Sequence, residues 1–234
     1  MLRPLSFGLF LAFANPANAG PVADFEAQYR DAYASYRAAL FTTNSGDAAA
    51  AEKATNSFSE KWQALIDAWG NPPPHLENDD EYATTMLAVT AILVFARAQI
   101  GQGDLPGAHE TLEGVRDLLS DLHARNAIET FSDRMNAYHA EMEHVLASDL
   151  SALDDAGIAT LRERAAVLDY LARDLVGTPP PGAAGTPEYE ALIKAFTTSV
   201  QELLTATRAG DAAAIKAAIG GLKKPYARLF LKFG

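Results

Sequence analysis

Four polar residues of the fifth helical segment, Ser132, Asn136, His139 and Glu143, follow one another at steps of four, three and four. At about 100° per residue, that spacing sets them on one strip of a helix. The strip runs beside an apolar seam of Ile128, Phe131, Met135, Tyr138, Met142 and Val145, not on the opposite outer face. His139 and Glu143 are an i, i+4 pair, neighbours across one turn. An imidazole and a carboxylate so placed can hold one metal ion, or act as a base and the carboxylate that orients it. A metal needs a further ligand from another helix, for which His123, His109 and Asp133 are the candidates. Arg125 and Asn126 lie just upstream, and with Ser132, Asn136, His139 and Glu143 they make the expected ligand-binding set. The plainer reading is a row of polar residues that satisfy one another.

Other chemistries fit less well. A di-iron carboxylate bundle requires Glu-x-x-His on each of two helices plus two more glutamates. Here only Glu141–His144 has that spacing, and it projects away from Met135 and Met142. After the first nineteen residues the methionines are Met86, Met135 and Met142, which read as core filling rather than thioether copper ligands. No Ser-His-Asp order, phosphate-cradling glycine loop or zincin motif is present. Tyr29, Tyr33 and Tyr36 with Arg30 and Arg37 read as a buried aromatic stripe; the sharper alternative is a phenol-lined pocket in which Arg37 meets a carboxylate. Trp62 and Trp69 pack the second helix with Leu65 and Ile66. Near the C-terminus, Lys223, Lys224, Arg228 and Lys232 alternate with Tyr226, Leu229, Phe230 and Phe233. These cations complement a helix dipole, and Lys223, Lys224 and Arg228 are also the candidates for docking an acidic partner. Pro225 predicts a break that makes this end a separate short helix.

The elements that position these residues are helices. Alanine-rich text with helical spacing runs almost from end to end, without convincing strand alternation. Breakers divide it into eight helices over 22–45, 47–70, 79–102, 104–125, 127–148, 152–176, 186–209 and 211–233. Gly46-Asp47, Gly103-Asp104 and Gly210-Asp211 share one turn chemistry, in which glycine ends a helix and aspartate caps the next. Such turns make antiparallel hairpins. Pro72-Pro73-Pro74 and Pro179-Pro180-Pro181 stand 107 residues apart, the offset that also relates Gly70 to Gly177 and Glu81-Tyr82 to Glu188-Tyr189. The expected fold is all-α, two tandem four-helix units over 20–126 and 127–234 related by internal duplication, with a short α-solenoid of hairpins as the alternative.

The opening residues describe an address. Arg3, an apolar run from Leu5 to Ala14, Asn15-Pro16 and then Ala17-Asn18-Ala19 follow the layout of a secretory signal peptide over 1–19. After it, no apolar run is expected to span a membrane. The chain has no cysteine, which excludes disulfides, thiolate metal sites and covalent haem. Loss of Arg3 leaves 18 basic against 30 acidic residues, a net charge of −12. That balance argues against nucleic acid as a partner.

The final hairpin, from Val200-Gln201-Glu202-Leu203-Leu204 through Gly210-Asp211 to Ile215-Lys216-Ala217-Ala218, resembles the last two helices of cytochrome c′-type periplasmic four-helix bundles. The segment 36–66 has a similar cadence. In that family the hairpin leads into Cys-x-x-Cys-His. Here Lys223-Lys224-Pro225-Tyr226 follows, so the resemblance implies the fold class and compartment but no haem. The expectation is an exported, periplasmic, non-enzymatic helical protein that binds a small ligand or a protein partner. A periplasmic metal-binding protein using His139 and Glu143 is the alternative, and no other cofactor is expected.

Overall fold

A computed structural model describes residues 20–151 and 153–234, so the expected signal peptide lies outside the described residues. The fold is all-α: α1 (Gly20–Ser45), α2 (Ala48–Ala68), a 3-10 turn (Pro74–Leu76), α3 (Tyr82–Gly101), α4 (Leu105–Arg125), α5 (Phe131–Leu146), α6 (Asp155–Gly177), α7 (Pro187–Ala209) and α8 (Ala212–Phe233). Among the described residues there is no strand. The Gly-Asp turns act as their chemistry requires. Gly46, Gly103 and Gly210 take φ of 77°, 80° and 70°, in the left-handed region that glycine enters without a Cβ clash. The next aspartate then accepts the free N–H groups of a new helix: Ala50 N–H donates to Asp47 at 3.0 Å, and Gly107 N–H to Asp104 at 3.0 Å.

Three starts come three or more residues later than the spacing predicts, the first being α3, which begins at Tyr82 rather than at 79. Ala127 has φ of 54°, and Thr130 and Asp133 then form a reciprocal capping box, so α5 begins at Phe131 rather than at 127. Likewise Asp154 caps α6, which begins at Asp155 rather than at 152. Pro225 does not break α8, contrary to expectation. Proline removes one N–H and crowds the carbonyl four residues back. That residue is Gly221, next to Gly220, and neither has other atoms close by, so the backbone has room to yield.

Helix α1 packs on α2 and α4, and α3 closes the set by packing on α2 and α4. Helix α5 packs on α6 and α8, and α7 closes that set in the same way. Contacts of α1 with α8 and of α4 with α5 join the two rings. One continuous apolar core runs through both. Its spine is aromatic: Tyr29, Tyr33 and Tyr36 are buried, with successive ring centroids 5.8 and 5.0 Å apart, and Phe58 and Trp62 continue the row. In the other ring, Tyr138 meets Phe196 at 4.6 Å and Tyr226 at 5.7 Å.

Helix α3 corrects the expectation about apolar runs. It is long and apolar enough, by length and composition, to cross a membrane, with a mean hydropathy of 1.6. Threonines and alanines fill it, and Arg97 is its one charged residue, so a count of large apolar residues understates it. One side packs on α2 and α4, while Leu87, Val94 and Phe95 are exposed.

The turn geometry gives a paired test. Gly210→Ala places a Cβ in the left-handed region and lowers unfolding free energy by about 1 kcal/mol. Gly220→Ala, on an open helical face, raises it by about 0.5–1 kcal/mol. Urea denaturation of the two variants measures both signs.

Candidate functional site

The α5 strip meets a matching strip on α4. His109, Glu113, Arg116, Ser120 and His123 follow steps of four, three, four and three, so they too share one helix face. The two strips oppose one another like a zipper. At one end, His123 Nδ1 lies 2.8 Å from the Asp133 carboxylate. That carboxylate also accepts from Thr130 N–H at 2.8 Å, from Thr130 Oγ at 2.7 Å and from Ser120 Oγ at 3.3 Å. Burial raises the Asp133 pKa, but the His123 and Thr130 interactions outweigh it and hold the group below its ordinary value. Next along, Asn136 Nδ2 donates to Ser120 Oγ at 3.0 Å. Here the polar groups largely satisfy one another, as the plainer reading of the strip has it, although Asn136 Oδ1 is buried without a partner.

At the other end the zipper opens into a cleft of about 300 Å³ among α1, α4, α5 and α8. His139 Nε2 lies 3.6 Å from Glu113 Oε1 and 3.9 Å from Glu143 Oε1. His109 Nε2 lies 3.7 Å from the same Glu113 oxygen, and Arg116 approaches it at 3.3 Å. From α8, Lys223 Nζ reaches to 3.9 Å from Glu143. The His139 ring stacks on buried Tyr226 with centroids 5.2 Å apart, and its Nδ1 is buried without a hydrogen-bond partner. His139 is the largest influence on Glu113, and with Arg116 and His109 it overcomes burial to bring the Glu113 pKa down to about 2. Burial pushes the His109 pKa down, against the opposing pull of Glu113.

The structure thus brings His139, Glu143 and Asn136 to one groove on α5, and adds His109, Glu113 and Arg116 from α4. Of the three candidates for a further ligand, His109 alone reaches the cleft, because His123 and Asp133 are bound to each other. Arg125 and Asn126 do not line this cleft. Arg125 donates to Asp79 at 3.2 Å and to Thr85 at 3.1 Å, and Asn126 donates to Asp79 at 2.7 Å, so both fasten the end of α4 to the approach to α3. Ser132 borders a separate cavity of about 560 Å³ beside Tyr29, Tyr33 and Arg37. The Arg37 guanidinium is tied to the carbonyls of Leu231 and Gly234 at the end of α8, where it satisfies the helix terminus. The docking set also divides: all three are exposed, but Lys223 lines the cleft, whereas Lys224 and Arg228 do not.

Among the described residues, no three His, Asp or Glu side chains stand ready at metal-bonding distances from one point. The cleft is instead an open cluster of two imidazoles, three carboxylates (Glu110, Glu113 and Glu143), a guanidinium and an ammonium. Sequence reasoning missed Glu113 and Arg116, although the α4 steps carry the same signal as those of α5. No protein-family model matches the chain, and no curated protein or solved structure shows significant similarity to it.

Glu113 has a folded pKa of about 2 against an ordinary 4.5, so its contribution to stability is present above pH 4.5 and disappears as pH falls toward 2. Glu113→Gln therefore lowers stability at neutral pH, by on the order of 1–2 kcal/mol after solvent screening. Thermal melts of the variant and the wild type converge toward pH 2.

Proposed function

We propose that the protein is exported to the periplasm and binds a small ligand, without catalysing a reaction, in the cleft among α4, α5 and α8. The observation that carries this reading is the contrast along one helix pair. Polar groups at the His123–Asp133 end find partners at hydrogen-bonding distance. At the other end, charged atoms converge around a cavity with separations of 3.3–3.9 Å, and a buried His139 nitrogen is left without a partner. Buried polar atoms are normally paired, so an unpaired one in a side chain that lines a cavity marks a place for a guest. Export rests on the Arg3, Leu5–Ala14 and Ala17-Asn18-Ala19 pattern and agrees with a chain that has no thiols to oxidise.

Native mass spectrometry with elemental analysis, on protein purified from its own compartment, tests both parts. The expected species starts at Gly20 and carries a bound mass that His139→Ala loses. A wild-type species at the bare polypeptide mass, with no thermal shift on adding divalent cations or small carboxylates, overturns the binding reading. Retention of residues 1–19 overturns the export reading.

A further inference from the structure

We propose that the exposed face of α3 is where two copies of this chain pair, their α3 helices crossing antiparallel about a twofold axis at Ala91. The inference is independent of the cleft among α4, α5 and α8.

The first argument is an internal comparison. Helices α3 and α7 do the same job, each closing one ring by packing on two other helices. The 107-residue offset that relates Glu81-Tyr82 to Glu188-Tyr189 carries α3 onto α7, and the inward positions coincide. Met86, Val89 and Leu93 are buried, and so are Ile193, Phe196 and Val200 at the corresponding places. The outward positions coincide as well, but their chemistry does not. Where α7 presents Lys194, Gln201 and Glu202 to water, α3 presents Leu87, Val94 and Phe95, which are 66%, 60% and 66% exposed. This place in the fold therefore does not call for an apolar outer face, since α7 fills it with a solvated one. Large apolar side chains grouped on a surface mark a contact.

The second argument is symmetry. Thr84, Leu87, Ala91, Val94, Phe95 and Ala98 share one exposed strip of α3. Leu87 and Phe95 stand four residues before and after Ala91, and Thr84 and Ala98 stand seven before and after it. A twofold axis through Ala91, perpendicular to the helix, reverses the strip end for end. It sets Phe95 of each copy beside Leu87 of the other, with a small side chain at the crossing, where the two backbones come closest. A twofold contact uses one patch twice, and a strip spaced alike in both directions meets that requirement. A different partner protein has no need of it.

The third argument is charge. After residues 1–19 the chain carries a net charge of −12, so two copies repel unless they meet on an uncharged face. Helix α3 has a single charged residue, Arg97, near its C-terminal end, while Asp80 and Glu81 are exposed just before its start. Antiparallel pairing carries Arg97 of each copy toward the acidic end of the other. The same charges argue against a lipid surface as the cover. Anionic headgroups repel an acidic protein, and helices that lie on membranes flank their apolar face with several Lys and Arg.

Sedimentation equilibrium of the mature chain over a range of concentrations tests the pairing. A monomer–dimer equilibrium is expected, with a dissociation constant on the order of micromolar for so short a contact. Giving α3 the outward residues of α7, as Leu87→Lys, Val94→Gln and Phe95→Glu together, weakens it at least about tenfold. These side chains are exposed, so the variant keeps its helical circular dichroism. Geometry is tested by oxidation of Ala91→Cys in a chain that has no cysteine of its own. Two copies crossing at this residue bring its Cα atoms within disulfide range, about 4.4–6.8 Å, and a covalent dimer forms. Thr198→Cys, at the corresponding place on α7, stays monomeric. A wild-type chain that remains monomeric at every concentration overturns the proposal, as does a dimer that survives the triple substitution. So does Ala91→Cys cross-linking no faster than Thr198→Cys. A monomer that floats with vesicles of phosphatidylcholine and phosphatidylglycerol assigns the face to lipid and overturns it too.

Discussion

The apposition of α4 and α5 is the constraint on which the cleft depends, and the His123–Asp133 pair holds it. Both side chains are largely buried, and the carboxylate gathers four donor groups around one turn. Removing either partner would leave an uncompensated polar group in the interior, a cost of several kcal/mol. The same carboxylate closes the capping box that starts α5. One residue thus fixes where the helix begins, which way its strip faces and how it meets α4. His139 and Glu143 follow six and ten residues later on that rigid rod, and their position is inherited from this anchor.

That dependence explains what could be read from the sequence. Helix ends marked by Gly-Asp pairs were legible because glycine conformation and aspartate capping are local chemistry. The true start of α5 was hidden because Ala127 in a left-handed conformation is no ordinary sequence signal, and because Thr130–Asp133 competes with a strip that looks helical from 127. Pro225 misled for the converse reason: its helix-breaking tendency is local, whereas the room beside Gly221 comes from its surroundings.

For the site, periodicity located half of the answer. The strip on α5 was visible from angular arithmetic, and the strip on α4 has the same spacing. Which helices face each other is decided by packing, and packing assigned His109 to the cleft but His123 and Asp133 to each other. Arg125 and Asn126 are near His139 in sequence, yet they sit where α4 ends and Asp79 waits for them. Lys223 was grouped with Lys224 and Arg228 by charge, although a helix turns them to different sides and only Lys223 meets Glu143.

The chemistry of the cleft follows from divergence of the two strips. Near Asp133 the groups are at 2.7–2.8 Å and neutralise one another; near Glu143 they stand at 3.6–3.9 Å, too far for hydrogen bonds and too close for independent solvation. Tyr226 lies against the His139 side of that gap. Its ring lies between the Tyr138 core contact and the His139 stack, so it supports the floor of the cleft from the hydrophobic side. The apolar core and the polar cleft are in this sense one construction: aromatic packing backs one side of the His139 ring, and the charged groups of α4, α5 and α8 stand on the other.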